Sequence, residues 1–569
     1  MRLSKTYPRA TKLVLRTLII VSVIIISFGI YFYFAVRLQP PAIEDVHALP
    51  QERTRVGKDS YTCGNNWLRK NSRGLWELYV EGEPYERGRA IGILSKELIY
   101  RQEKAFVDRI HEMIPSRMYL FGLGLIVAWF NRNLDQSIPP EYLQEIYGVS
   151  QFASHEFDDI GSNYQRILNY HGAHDIGHAL QGMHMVGCTS FSVRDTASAD
   201  GSLLVGRNFD FYVGDEFAKE KIVCFVNPTS GHKFMMVTWG GMIGAVSGMN
   251  ESGLTVTINA AKSDNPTSAA TPISIIAREI LQYATTIKEA FTIAQRRRSF
   301  VSESILIGSL KDNRTAIIEK SPTRTVLFEP EGPSVICSNH FQSADFKKYE
   351  TAADTGIANS SHYRYKRMQE LLSRYPKMSA LDVAEVLRDR LGLADRDIGM
   401  GNEKAVNQLI AHHSIIFNPA KRLVWVSTNP FQLGEYLAYD LADIFSPSKP
   451  LPPNGNINRE ALTIPPDPFL SSAEYQNFLR YKAIKRKINS ILQSDENQRL
   501  GAGQITSFVE SNPEYFEMHS LLGEYYEKIG DVRSALASYT RALEKEIPSP
   551  AEAAAIRAHI ADCRKKLDR

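Results

Sequence analysis

Along the chain the apolar positions change period several times, and each change predicts a different element. Thr17 to Val36 gives twenty residues without a charge, about 30 Å of helix and the thickness of a bilayer core. Trp76-Glu77-Leu78-Tyr79-Val80-Glu81-Gly82 alternates like a strand. From about Tyr85 to Leu180 the pattern is mainly helical. Within it, Tyr119 to Phe130 forms a twelve-residue apolar patch with two glycines, too short to span a membrane. It predicts either a buried helix or a surface that touches lipid or an acyl chain. From Cys188 to Ala260 the chain reads as successive strands, broken at Ala199-Asp200-Gly201, Asn227-Pro228-Thr229-Ser230-Gly231 and Asn250-Glu251-Ser252-Gly253. Two helices follow, about 273–283 and 287–297. Strands are expected at 304–308, 315–319 and 335–338, helices at 365–373 and 380–389, and two last strands around Asn418-Pro419-Ala420. Strand blocks alternating with paired helices predict a layered α+β domain.

Seven prolines fall between Pro447 and Pro468, which predicts an extended linker over 446–468. The rest, 469–569, is helical. Leu522-Gly523, Tyr526, Gly530, Ala535, Tyr539, Ala542 and Pro548 are similar to one tetratricopeptide-type helix pair. A single repeat cannot bury its own face. It is therefore expected to pack on a neighbour such as the helix near 475–492, or on the preceding domain. A protein partner for this unit stays open.

Charge orients the first helix. Residues 1–16 carry Arg2, Lys5, Arg9, Lys12 and Arg16 and no acid, and a basic flank stays cytoplasmic. The exit, Ala35-Val36-Arg37-Leu38-Gln39-Pro40-Pro41, is a poor cleavage site, so the span 17–36 reads as an uncleaved signal anchor. Residues 37–65 then form a polar stalk, and the remainder faces the periplasm or the extracellular space. The net charge of +3 over 569 residues gives no case for nucleic acid. Cys63, Cys188, Cys224, Cys337 and Cys563 have no metal-site spacing, and an outside location permits disulfides without specifying a pairing.

The chemistry concentrates at Gly187-Cys188-Thr189-Ser190-Phe191-Ser192 and, nineteen residues past the cysteine, at Gly206-Arg207-Asn208-Phe209-Asp210. A cysteine that becomes a chain N-terminus carries its own base, because its α-amino group titrates near ~7.7–8.0 and its thiol near ~8.5. That requires a cut between Gly187 and Cys188. The thiol would then attack an acyl carbonyl to form a thioester, and the amine would shuttle the proton to the leaving group. The hairpin returns Arg207 and Asp210 to the same end. Asp210 can hold the Cys188 ammonium and Arg207 can favour the thiolate. Residues of opposite parity on an extended strand point apart, so a bend at Asn208-Phe209 is expected.

These motifs resemble the N-terminal-nucleophile (Ntn) hydrolases, and among them the isopenicillin N acyltransferase and choloylglycine hydrolase groups. Gly82-Glu83-Pro84-Tyr85-Glu86-Arg87-Gly88-Arg89 resembles a pro-region motif of the acyltransferases. The resemblance covers roughly 75–440. It implies a four-layer αββα sandwich over 66–445, a short chain to 187 and a long chain from 188. It also implies active-site roles for Asn339 as oxyanion donor, Asn259 at a second and more variable position, and Arg364 as the late arginine. Arg207 follows the choloylglycine hydrolase pattern, where penicillin-type acyltransferases tend to carry glutamine.

Two other patterns are set aside. His171, His174 and His178 share helical spacing with His184 nearby, but they sit just before the cut and are not read as a metal site. Ser230-Gly231-His232-Lys233 matches a catalytic motif by letter only, since it falls in a hairpin turn. The reading is a membrane-anchored, self-processing cysteine amidohydrolase for a small N-acyl amide, with no cofactor or metal. Acyl transfer to an amine is the alternative within the class. A non-catalytic anchored scaffold using its helical unit is the alternative outside it.

Overall fold

The computed structural model describes residues 9–43, 52–114, 116–172, 187–263, 269–347, 356–446, 455–494 and 498–568. The first helix, α1 (Arg9–Ala35), includes a stretch, Leu13–Ala35, that is long and apolar enough to cross a membrane and is not buried. The chain docks soon after it. Leu38 is buried, and Gln165 Nε2 donates to the Val36 carbonyl at 3.1 Å. The expected polar stalk over 37–65 is therefore shorter. β1 (Thr54–Gly57) and β2 (Ser60–Cys63) already belong to a sheet. Their alternation is masked by polar residues, yet Cys63 is buried and Tyr61 packs on the core.

Two sheets carry the fold. The larger runs β1, β2, β3 (Asn66–Lys70), β4 (Trp76–Gly82), β7 (Ile222–Pro228), β8 (Phe234–Thr238), β9 (Ser247–Asn250), β10 (Leu254–Ala260), β11 (Glu303–Ser309), β12 (Arg314–Lys320) and β13 (Thr325–Phe328). The smaller runs β14 (Ser334–Cys337), β5 (Thr189–Val193), β6 (Leu204–Phe209), β15 (His413–Asn418), β16 (Leu423–Ser427) and β17 (Tyr436–Asp440). β4 and β7 pair in parallel, from Trp76 opposite Ile222 to Gly82 opposite Pro228.

Strand alternation sorts side chains into three apolar cores. Along β7, Ile222 and Cys224 share a core with α2 (Pro84–Met113), α4 (Pro140–Ser150), α5 (Asn163–His171), α7 (Ile273–Tyr283) and α8 (Ile287–Arg296). Val223 and Phe225 face the other way, toward Val205, Ile415 and Val424 of the smaller sheet. Because both faces are covered, β7 reads as the unbroken run Ile-Val-Cys-Phe-Val. On the far side of the smaller sheet, Phe191, Leu204 and Ile416 meet Met368 and Leu371 of α9 (Ser360–Arg374) and Val383 and Leu387 of α10 (Ala380–Leu387). A buried carboxylate ties the first helices to the later ones. Glu145 on α4 receives Arg87 of α2 at 2.7 Å and Arg278 of α7 at 3.2 Å.

α3 (Arg117–Phe130) contains no buried residue. Met118, Phe121 and Ile126 are 85%, 69% and 64% exposed, which overturns the buried-helix reading of this patch. A helix that is apolar all round does not say which side faces protein. At its C-terminal end Trp129 stacks on Phe32 of α1 with ring centroids 5.8 Å apart, and Phe130 meets Phe300 of the domain edge-on at 5.2 Å.

The described part of the expected linker is not a free tether. Residues 455–468 lie along β17, with mutual backbone hydrogen bonds between Tyr436 and Ile464 and an Arg459 N–H donating to Ala438. Beyond them, Tyr475, Phe478 and Tyr481 of α12 (Ala473–Gln493) share a core with Leu522 of α14 (Phe516–Lys528), Tyr539 of α15 (Val532–Leu543) and Leu409 and Leu433 of the preceding domain. Lys404 and Glu546 close the contact at 2.7 Å.

Candidate active site

The hairpin β5–β6 pairs Thr189 with Asn208 and Ser190 with Arg207, so its open end holds Cys188 beside Asp210. The Gly187 N–H extends the ladder by donating to the Asp210 carbonyl at 3.0 Å. Arg207 and Asp210 converge although their parity differs, because β6 ends at Phe209. Asp210 has already left the pleat. Asn208 turns to the opposite face and donates to the Leu387 and Val406 carbonyls.

Arg207 is wholly buried between the sheets. Its Nη2 lies 3.6 Å from the Cys188 Sγ and also donates to the Ile258 carbonyl. Its Nη1 donates to the Val246 carbonyl at 2.9 Å and to the Ser247 hydroxyl. Ser247 Oγ meets His413 Nε2 at 2.9 Å, and His413 Nδ1 meets His412 Nδ1 at 2.9 Å. One imidazole of that pair must donate and the other accept. Burial, with the Arg207 and Lys221 cations nearby, holds both rings well below the usual histidine range, hence neutral.

Burial dominates the titration of the reacting groups. It pushes the Cys188 thiol up to about 11, with Arg207 pulling the other way. It pushes the Asp210 carboxyl up to about 7, against the charges of Arg364 and Arg207. The Gln432 side chain approaches the Asp210 carboxyl and also opposes that rise, although neither carboxyl oxygen is met at full hydrogen-bond geometry among the described residues.

The remaining expected residues reach the same place. Asn259, at the end of β10, accepts from Ser190 Oγ at 2.7 Å and donates to the Cys337 carbonyl at 2.8 Å. It pins the two sheets together. Asn339 follows β14 and donates through Nδ2 to the Ala260 carbonyl at 3.0 Å. An amide nitrogen carries two protons, so one remains for a second acceptor. Arg364, in the first turn of α9, grips the Asn339 Oδ1 at 2.5 Å and the Glu403 carbonyl. Cys188, Arg207, Asp210, Asn259, Asn339 and Arg364 thus form one connected cluster.

Residues without a motif also enter it. Ser247 and His413 make the contacts given above, Gln408 donates through Nε2 to the Gly187 carbonyl at 2.6 Å, and buried Glu303, opposite Ala260 in the β10–β11 register, acts electrostatically on both Cys188 and Arg207. They lie 59 to 225 positions from Cys188, and only the folded sheets bring them close. A largely apolar cavity, lined by Ile99, Phe106, Phe211, Trp239 and Met242 together with Glu103, lies against Phe211, the second residue past Phe209 in the chain.

His171 is accounted for without a metal. Its Nε2 accepts from the Ile243 N–H at 3.0 Å, so Nδ1 carries the proton donated to the Ile167 carbonyl at 2.8 Å. His174, His178 and His184 lie outside the described residues. Among the described residues no group of three or more His, Cys, Asp or Glu side chains is placed to hold a metal ion. The five cysteines, Cys188 included, are free thiols.

Residues 196–431 match the family model described as acyl-coenzyme A:6-aminopenicillanic acid acyl-transferase. That segment starts after Cys188 and contains the other five residues of the cluster. Among curated proteins, the chain is 24% identical over 322 residues to an uncharacterized protein of Archaeoglobus fulgidus, covering 53% of this chain and 52% of that one. It is 22% identical over 408 residues to Protein dcd1B of Dictyostelium discoideum, covering 67% and 76%. The chain therefore spans about half the length of the archaeal relative. Among solved structures, a Caenorhabditis elegans N-acylethanolamine-hydrolyzing acid amidase ortholog aligns with a TM-score of 0.30 at 15% identity, covering 41% of this chain and 93% of that one. A conjugated bile acid hydrolase variant from Clostridium perfringens aligns with a TM-score of 0.30 at 10% identity, covering 48% and 95%. The chain resembles the N-terminal-nucleophile hydrolase superfamily.

Proposed function

We propose that this chain is a self-processing cysteine amidohydrolase that cleaves N-acyl amides through a thioester on Cys188. One observation carries the reading. The peptide bond before Cys188 sits where Arg207 reaches the thiol at 3.6 Å, with a buried carboxyl, Asp210, two residues past the strand position paired to Thr189. After a cut at Gly187, the Cys188 amine becomes the base. Asp210 holds its ammonium, Arg207 favours the thiolate, and Asn339 donates its second amide proton to the oxyanion. Arg364 orients Asn339, and Asn259 keeps the strand ends in register.

The three stacked apolar cores support a four-layer αββα sandwich, and α12 supports a tetratricopeptide-like unit that packs on the preceding domain. The family match over 196–431 favours a second reading, acyl transfer to an amine. Arg207 at its position favours hydrolysis. The full set of polar groups around Cys188 argues against a scaffold.

Membrane anchoring belongs to the same proposal. α1 supplies a span, with the catalytic domain on the outer side. Tyr31 and Tyr33 fall at the end expected in the outer interfacial belt. Trp129 meets Tyr31 and Phe32 there, so α3 would rest its bare apolar surface in the outer headgroup region.

The test is intact mass of the full chain in detergent, wild type beside Cys188→Ala, followed by an N-acyl amide screen. Two wild-type fragments, the larger beginning at Cys188, with an uncut variant and amide turnover, are expected. A folded wild type that stays whole would sink the proposal.

A further inference from the structure

Gly187 and Gln408 stand 221 positions apart and meet at the bond that self-processing would break. Gln408 Nε2 donates to the Gly187 carbonyl oxygen at 2.6 Å. That oxygen can only accept, so the amide must present its N–H side to it. The glutamine is buried, with 1% of its surface exposed. Glycine makes the approach possible. A Cβ at position 187 would fall 2.5, 2.6 and 2.9 Å from the three heavy atoms of the Gln408 amide group. The N–H of Gly187 is held as well, by the Asp210 carbonyl at 3.0 Å. The carbonyl that precedes the nucleophile is thus clamped, with a donor on its oxygen.

We propose that Gln408 is the oxyanion donor for the self-cleavage before Cys188, a role separate from that of Asn339 in substrate turnover. This rests on the self-processing reading above. In the step, the Cys188 sulfur adds to the Gly187 carbonyl carbon and the carbonyl π pair moves onto oxygen. The oxyanion accepts the Gln408 N–H. Collapse breaks the carbon–nitrogen bond, and the thiol proton ends on the departing nitrogen. The products are a Gly187 thioester and a free α-amine. Water then adds to the thioester, releasing the Gly187 carboxylate and the Cys188 thiol. One water is consumed and nothing is oxidised or reduced.

The geometry separates two donors for two reactions. Asn339 binds the Ala260 carbonyl and Arg364, whereas Gln408 binds the scissile carbonyl itself. A neutral amide suits this place, because a donor in a buried site meets developing charge without water to screen it.

The experiment follows cleavage of the full chain during cell-free synthesis with detergent, by intact mass against time. Gln408→Met is expected to slow cleavage by roughly 100-fold or more, the scale of one lost oxyanion donor. Melting of the same substitution in the uncleavable Cys188→Ala chain checks the fold. Gln408→Glu supplies the independent readout. Its carboxylate repels an oxyanion, but its protonated form donates, so its cleavage is expected to accelerate as pH falls below the carboxyl pKa. Wild-type cleavage rates in Gln408→Met, or a Gln408→Glu rate that does not rise on acidification, would overturn the assignment. A wild type that never cleaves overturns the self-processing reading instead, and is recognised without either variant.

Discussion

The guanidinium of Arg207 reaches the thiol of Cys188 while three other acceptors hold it, the Val246 and Ile258 carbonyls and the Ser247 hydroxyl. Ser247 is in turn held by His413. Removing that support should therefore act on the thiol at one remove. Ser247→Ala is expected to lower the rate of Cys188 alkylation, in the processed chain, about tenfold, the worth of one hydrogen bond to a charged group. The check is the iodoacetamide rate across pH. An unchanged rate would leave Ser247 with no part in positioning Arg207.

Asp210 makes folding depend on pH in the direction opposite to most carboxylates. Its carboxyl is raised from 3.8 to about 7 in the folded chain. The folded state holds this proton more tightly than the unfolded one. Its stabilising contribution is complete below about pH 4 and is lost as pH rises through about 7, up to about 4 kcal/mol in all. Denaturant melts of the Cys188→Ala chain from pH 4 to 8 read this slope, and Asp210→Asn is expected to flatten it.

Glu145 neutralises Arg87 and Arg278 in a site where none of the three is exposed beyond 1%. Glu145→Ala leaves two buried guanidiniums unpaired. A loss of roughly 3 to 5 kcal/mol is expected, measured by urea unfolding. Because Arg87 precedes Cys188 and Arg278 follows it, the variant should also let the two processed fragments separate at lower denaturant, seen by size exclusion.

The membrane proposal can be split between its two helices. A chain lacking residues 1–36 is expected to float with phospholipid vesicles through α3. Phe121→Ser with Ile126→Ser in that chain should weaken binding at least about tenfold, given the apolar area lost. Flotation that ignores the double substitution would remove α3 from the interface.

The elements with a clear period were legible in advance. The strand Trp76–Gly82 and the helix Ile273–Tyr283 form as their alternation and helical spacing predict. The six expected site residues come together because each sits at a strand end or a helix start. The short strands β1 and β2 were not legible, since polar side chains break their alternation at the sheet edge. The fate of α3 was not legible either, because uniform apolarity carries no facing information. Gln408 gave no signal at all. Its partner is a backbone carbonyl, which no side-chain pattern encodes, and the Gly187 that accommodates it reads locally as an ordinary pre-strand glycine.

The parallel seam between β4 and β7 decides what a severed chain would still be. Four strands of the larger sheet precede position 187 and seven follow it. The N-terminal piece would keep the hydrophobic anchor, while the nucleophile would belong to the other piece. Residence of the catalytic half at a bilayer then becomes a mechanical matter, governed by how well one row of backbone hydrogen bonds and the helices packed over it resist a pull, with no covalent link in the load path.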